Sequence, residues 1–187
     1  MLKQVLRAAA LLAIFCASPV LANNPLDSGA LADFLNLFRQ PAIPRQLVAW
    51  THGYEPGTVV ISTSRRRLYY VLGNGRALEY GVGVGRQGFS WAGTKIVSRK
   101  REWPDWTPPS QMLKRRPDLP RHMAGGIDNP LGARAMYLGS SLFRIHGSNE
   151  PDTIGAAVSS GCIRMTNNDV VDLYNRVKVG TKVVVLR

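Results

Sequence analysis

From residue 57 onward the chain alternates short apolar runs with turn residues. Residues 58–63 (Thr-Val-Val-Ile-Ser-Thr) and 67–72 (Arg-Leu-Tyr-Tyr-Val-Leu) predict two strands, rich in β-branched and aromatic side chains. Gly73-Asn74-Gly75 supplies the tight turn to a third strand over residues 77–84. Residues 135–138 and 142–145 predict two more, the second leading into His146. Between these groups, residues 100–128 form a long polar insert without a period. After residue 165 the period changes. Thr166 or Asn167 as cap, Asp169 in the first turn, and Val170, Val171, Leu173, Tyr174 and Val177 on one face predict a helix. Gly180 turns the chain into a closing strand over residues 182–186. Upstream, Ser28 caps a short predicted helix with Leu31, Phe34, Leu35 and Phe38 on one stripe, ended by Pro41 and Pro44. That helix is expected to pack on the domain or serve as a spacer. Short strands separated by turns make the domain mainly β.

The first residues break this pattern. Lys3 and Arg7 give a positive start, residues 8–15 an apolar run, and Val20-Leu21-Ala22 a permissive cleavage site, the three parts of a secretory signal peptide. The run is short for a membrane span and Pro19 follows it closely. A signal peptide over residues 1–22, a helix and linker over 23–55 and one domain over 56–187 are therefore expected, exported to a bacterial periplasm or cell surface. Cleavage would remove Cys16 and leave Cys162 as the single thiol. A lone thiol cannot form an internal disulfide and is vulnerable in an oxidising compartment, which flags it as reactive, with an inert cysteine packed as a small hydrophobe as the alternative. Losing Lys3 and Arg7 takes the net charge from +12 to +10. Such an excess favours polyanionic surroundings. An exported protein meets little nucleic acid, so anionic lipid or acidic wall polymer fits the charge better, unless it is only a solvated surface.

Gly81, Gly83 and Gly85 follow a strand and precede no predicted helix, so they are not a phosphate loop and mark close backbone approach instead. Trp103 and Trp106, held among prolines in the insert, read as a rigid aromatic loop. With Asn129, in the turn Asn129-Pro130-Leu131-Gly132, they are placed on a cleft wall. His146 and Cys162 lie 16 positions apart, far enough for a loop to bring them together. A thiol attacks an acyl carbon as thiolate, and a neighbouring imidazole takes its proton and returns it to the leaving amine. Gly161 allows the backbone close to a substrate, and amide N–H groups at Gly161 and Cys162 suit an oxyanion. Arg164, two positions past Cys162, shares its face on an extended chain and suits a substrate carboxylate. Ser159 and Ser160 lack a Gly-x-Ser-x-Gly elbow, and His52, His122 and His146 lack metal-ligand spacing. No metal or cofactor is expected.

His146-Gly147-Ser148, Ile154-Gly155 and Ser159-Ser160-Gly161-Cys162-Ile163-Arg164-Met165 resemble the signature of the L,D-transpeptidase catalytic domain, the YkuD or ErfK/YbiS family. The resemblance runs over residues 57–186 and takes in Gly83-Val84-Gly85, Trp91-Ala92-Gly93-Thr94, Trp103-Pro104, Pro108-Pro109, Asn129-Pro130-Leu131-Gly132 and Gly180-Thr181. It implies a mainly β, YkuD-like β-sandwich of mixed sheets with one or two short helices. It also implies that Cys162 is the nucleophile, His146 the general base and acid, and the Gly147 carbonyl the group orienting His146. Gly161, Ser160 and Arg164 are then oxyanion or substrate contacts; some members carry a histidine where this chain has Ser160. The implied substrates are peptidoglycan stem peptides, cleaved between the diamino acid and the terminal D-Ala. The acyl-enzyme passes to a second stem, giving a 3→3 cross-link, or to an outer-membrane lipoprotein or other protein acceptor. Carbapenems are implied as covalent inhibitors. Two alternatives stand beside this: an L,D-carboxypeptidase or an amidase releasing wall-anchored protein, and an inactive peptidoglycan-binding module.

Overall fold

The computed structural model describes residues 28–36, 38 and 43–187; the expected signal peptide over residues 1–22 lies outside them. Helix α1 (Ser28–Asn36) begins at the predicted cap residue. Its Leu31, Phe34 and Leu35 are exposed, so those positions do not pack on the domain. The stretch read as linker contains a strand, β1 (Gln46–Ala49), which pairs antiparallel with β4 (Arg76–Gly81). The sheet therefore begins before residue 56, the expected start of the domain.

Strands β2 (Val59–Ser62) and β3 (Arg67–Gly73) lie where the β-branched runs placed them, and β3 returns through a two-residue loop to β4. Both loop residues have positive φ, 52° at Asn74 and 67° at Gly75, which suits the right-handed twist of a hairpin and favours Asn-Gly. The third predicted strand is broken: β4 stops at Gly81 and the chain restarts as β5 (Val84–Gly85). At the break, the Gly83 N–H and C=O both bond to the Arg164 backbone at 2.9 Å. A Cβ on Gly83 would lie 3.1 Å from the Thr153 carbonyl oxygen and 3.3 Å from the Arg164 Cβ, so glycine permits this approach.

The longest strand, β6 (Gly93–Glu102), takes up the first residues of the expected insert. It joins two halves of one sheet. Its start pairs with β11 (Lys182–Leu186), and its later residues pair with β7 (Arg134–Leu138) across a register shift between Val97 and Arg99. Beyond β7 come β8 (Arg144–His146) and β10 (Ile163–Arg164). The nine strands run β1-β4-β3-β2-β11-β6-β7-β8-β10, and β5 pairs separately with β9 (Ala157–Ser159). The sheet is mixed, with parallel β2–β11 and β8–β10 pairs.

Side chains from both halves meet in one core. Val59, Ile61, Leu68, Tyr80, Val183 and Val185 from the first half pack in the same cluster as Met136, Leu138, Ile145 and Ile163 from the second. The sheet is folded on itself as a sandwich, as the resemblance implies. Helix α3 (Asn167–Arg176) completes the core with Val170 and Leu173. Thr166 caps it, its Oγ1 accepting from the Asp169 N–H at 3.2 Å. At its other end Lys100 Nζ donates to the carbonyls of Tyr174 and Val177, each at 2.6 Å, meeting the negative end of the helix dipole.

The rest of the insert carries a short helix, α2 (Ser110–Arg115), and is organised by Asn129. Asn129 is 1% exposed and is not on a cleft wall. Its Nδ2 donates to the carbonyls of Pro104 at 3.0 Å and Ala124 at 2.9 Å, while its Oδ1 accepts from the Leu131 N–H at 2.9 Å. A buried amide is stable only with its polar atoms satisfied, and here they knot the insert to the Asn129–Gly132 turn. Trp103 and Trp106 are half-buried in that same insert, where Trp106 and Met123 exchange backbone hydrogen bonds.

Candidate active site

Strands β8 and β10 are parallel neighbours, with Ile145 opposite Ile163 and His146 opposite Arg164. Ile145 and Ile163 are fully buried in the core. Successive side chains on a strand alternate between faces, so the neighbours of the two isoleucines turn the other way. Arg144, His146 and Arg164 consequently share one face, and Cys162 comes just before Ile163 as Arg144 comes just before Ile145.

His146 is 4% exposed, and its Nδ1 lies 2.6 Å from the Gly147 carbonyl oxygen. A carbonyl only accepts, so Nδ1 carries the proton and Nε2 presents a lone pair. Burial holds the imidazole down to about 3; the Gly147 bond opposes this, while Arg164 and Arg144 reinforce it. Burial also pushes the Cys162 thiol up, against Arg144 and Arg164, which pull it down. Both shifts favour the neutral forms at rest, a thiol and an uncharged imidazole, rather than a preformed thiolate.

The turn before Cys162 is held from three sides. Ser159 Oγ donates to the Cys162 carbonyl at 2.6 Å and accepts from the Gly161 N–H at 3.1 Å. Trp91 Nε1 donates to the Gly161 carbonyl at 2.7 Å, and the Trp91 ring stacks on Phe143 with centroids 4.5 Å apart. Gly161 itself has φ +105°, and a Cβ there would lie 2.5 Å from Phe143 Cε1. Only glycine fits. The Gly161 N–H, expected as an oxyanion donor, is thus already engaged by Ser159. The Cys162 N–H makes no backbone hydrogen bond among the described residues. Ser160 is half-buried on the turn, and the serine that braces the loop is Ser159.

Arg164 reaches Glu150, with Nη1 to Oε2 at 2.9 Å. Its guanidinium thus arrives with an internal carboxylate partner. Trp91, Phe143, Ser159, Arg144 and Glu150 were not among the expected site residues. Trp91 lies in one of the matching motifs, a usable signal; the others depend on register and loop geometry that no spacing in the sequence records.

A family model described as the L,D-transpeptidase catalytic domain matches residues 56–185. The chain belongs to that family. It is 38% identical over 160 residues to an Escherichia coli K12 protein described as probable L,D-transpeptidase ErfK/SrfK, covering 79% of this chain and 49% of that protein. The chain thus spans about half the length of the curated relatives it matches. Among solved structures, an L,D-transpeptidase from Mycobacterium smegmatis shares the fold at a TM-score of 0.56 and 18% identity, covering 70% of this chain and 58% of that one. A Brucella melitensis structure, described as a probable carnitine operon oxidoreductase, is 46% identical at a TM-score of 0.53, covering 81% of this chain and 98% of that one. That description belongs to the Brucella protein; the family model and curated relatives place the present chain among L,D-transpeptidases.

Proposed function

We propose that the protein is an exported, cysteine-dependent peptidoglycan L,D-transpeptidase of the bacterial periplasm. The observation that carries this reading is the shared face of β8 and β10. It supports a reading in which Cys162, one residue before β10, works with His146 on β8, the Gly147 carbonyl fixing the imidazole so that Nε2 is the available base. The Cys162 Sγ–H proton passes to Nε2 as sulfur attacks the carbonyl carbon between the diamino acid and the terminal D-Ala. Because burial disfavours the ion pair at rest, proton transfer accompanies attack instead of preceding it. The carbonyl electron pair moves to oxygen, where the Cys162 N–H is the backbone donor left to meet it. On collapse the C–N bond breaks, and the proton on Nε2 goes to the departing D-Ala amine. An acceptor amine then attacks the thioester by the same steps reversed, with a second stem peptide or an outer-membrane lipoprotein or other protein as acceptor.

Structures sharing this fold include an Enterococcus faecium L,D-transpeptidase described as acylated by ertapenem. By the same chemistry a carbapenem should acylate Cys162. The deciding experiment incubates wild-type and Cys162→Ala protein with tetrapeptide-bearing sacculi and reads the products by mass spectrometry. Free D-Ala and 3→3 dimers from wild type alone are expected. Tripeptide without dimers would make water the acceptor, and D-Ala release by Cys162→Ala would end the cysteine mechanism.

A further inference from the structure

Arg144 precedes His146 by two positions on β8 and comes just before Ile145, as Cys162 comes just before its partner Ile163; the Arg144 backbone N–H and side chain both interact with the thiol. Its Nη1 donates to the Leu142 carbonyl at 3.1 Å, the same carbonyl to which the Cys162 thiol points at 3.7 Å. The guanidinium carbon also lies 5.2 Å from the Tyr137 ring centroid, which braces it from the side. One donor is unspent: Arg144 Nε is buried with no hydrogen-bond partner. The two arginines of the site differ in their counter-charges. Arg164 is paired with Glu150, whereas Arg144 makes no salt bridge among the described residues. A site that keeps its imidazole neutral needs another cation to meet negative charge on sulfur.

We propose that Arg144 is a catalytic residue of this chain, an unpaired guanidinium that stabilises the Cys162 sulfur as it becomes anionic; this rests on Cys162 being the nucleophile. The S–H bond breaks, the proton goes to His146 Nε2, and the sulfur electron pair forms the C–S bond. Arg144 takes no part in the proton transfer. Both its backbone N–H and its side chain pull the thiol toward the ionised form. The unspent Nε leaves this guanidinium with a donor still available beside the thiol.

The test is the pH profile of Cys162 alkylation by iodoacetamide, followed by mass spectrometry, which requires the thiolate and no peptidoglycan. Arg144→Gln should move the midpoint upward by about 1 pH unit or more, slowing alkylation about tenfold at a fixed pH below it. Arg144→Lys should recover most of the loss. Arg99→Gln removes the other cation on Tyr137, at 4.0 Å, and should leave the profile unchanged, since Arg99 does not reach the thiol. Melting curves identify folded variants, and Arg144→Met, which keeps an apolar stem, replaces Arg144→Gln if the latter does not fold. An unshifted profile in a folded neutral variant overturns the role of Arg144 while leaving the nucleophile in place. A wild-type Cys162 that never reacts removes the nucleophile and the Arg144 proposal together.

Discussion

The Trp91 indole N–H donates to the Gly161 carbonyl at 2.7 Å, tying a residue just before β6 to the turn that presents Cys162. Trp91→Phe keeps an aromatic ring against Phe143 and deletes only the donor. One neutral hydrogen bond contributes about 1 kcal/mol to stability, so the melting temperature should drop by only a few degrees. Carbapenem acylation of Cys162, followed by stopped-flow absorbance, should slow by about tenfold or more, since small misplacements of a reacting group are costly. Equal acylation rates would show that the turn holds its shape without Trp91.

The His146 environment has a consequence for stability. Its folded pKa, about 3, lies below the usual 6.5, so the unfolded chain binds a proton that the native state refuses. This contribution is fully present above pH 6.5 and is lost as pH falls toward 3, at up to about 1.4 kcal/mol per pH unit. His146→Gln removes it. Urea unfolding of both proteins at about pH 7.5 and 5 should show the wild-type free energy falling by about 1–2 kcal/mol more than the variant's. A pH-independent difference between them would contradict a buried neutral imidazole.

Lys100 bonds two carbonyls at the end of α3. Replacing it by methionine keeps the stem and removes both charge-assisted bonds. A loss of about 1–3 kcal/mol is expected, read as a lower urea midpoint with unchanged slope. Carbapenem acylation by the folded variant should stay within about twofold of wild type, because Lys100 serves α3 and not the thiol.

Asn129→Ala separates a structural knot from a substrate contact. Leaving buried carbonyls of the insert without donors should cost about 2–3 kcal/mol and open the insert, residues 103–128, to limited proteolysis. A residue on a cleft wall would instead weaken substrate binding at unchanged stability. Differential scanning calorimetry beside a protease time course distinguishes the two.

The legible parts of this chain were those with a period or a turn code. The runs of β2, β3 and β11 are buried on both faces, Asn74-Gly75 adopts the positive φ values its turn requires, and Thr166 caps α3. β6 escaped notice because Gly-Thr-Lys-Ile-Val-Ser-Arg-Lys-Arg-Glu exposes most of its length, with Val97 as its single buried residue. β1 is exposed nearly throughout, and β9 and β10 are too short to show any alternation. The histidine, cysteine and second arginine stood out through motif spacing. Arg144 did not, because its place beside Cys162 follows from the parallel pairing of β8 with β10, a relation between segments and not within one. Asn129 and the tryptophans of the insert show the converse: residue types that suggest a cleft can equally build the loop that carries them.

Arg164, next but one to Cys162, takes its backbone partners from Gly83, and β11, beside the β6 strand that joins the two halves of the sheet, pairs with β2 near residue 59. Nearly every contact that shapes the thiol's surroundings spans a long stretch of chain, and such topologies acquire their structure late and slowly, over milliseconds to seconds. Until those segments meet, Cys162 is a solvated thiol with the acidity of any unfolded cysteine. Its protection by desolvation arrives together with its partners. The reagent sensitivity of this one sulfur can therefore serve as a clock for the final closure of the domain, reporting when the last long-range pairing has formed.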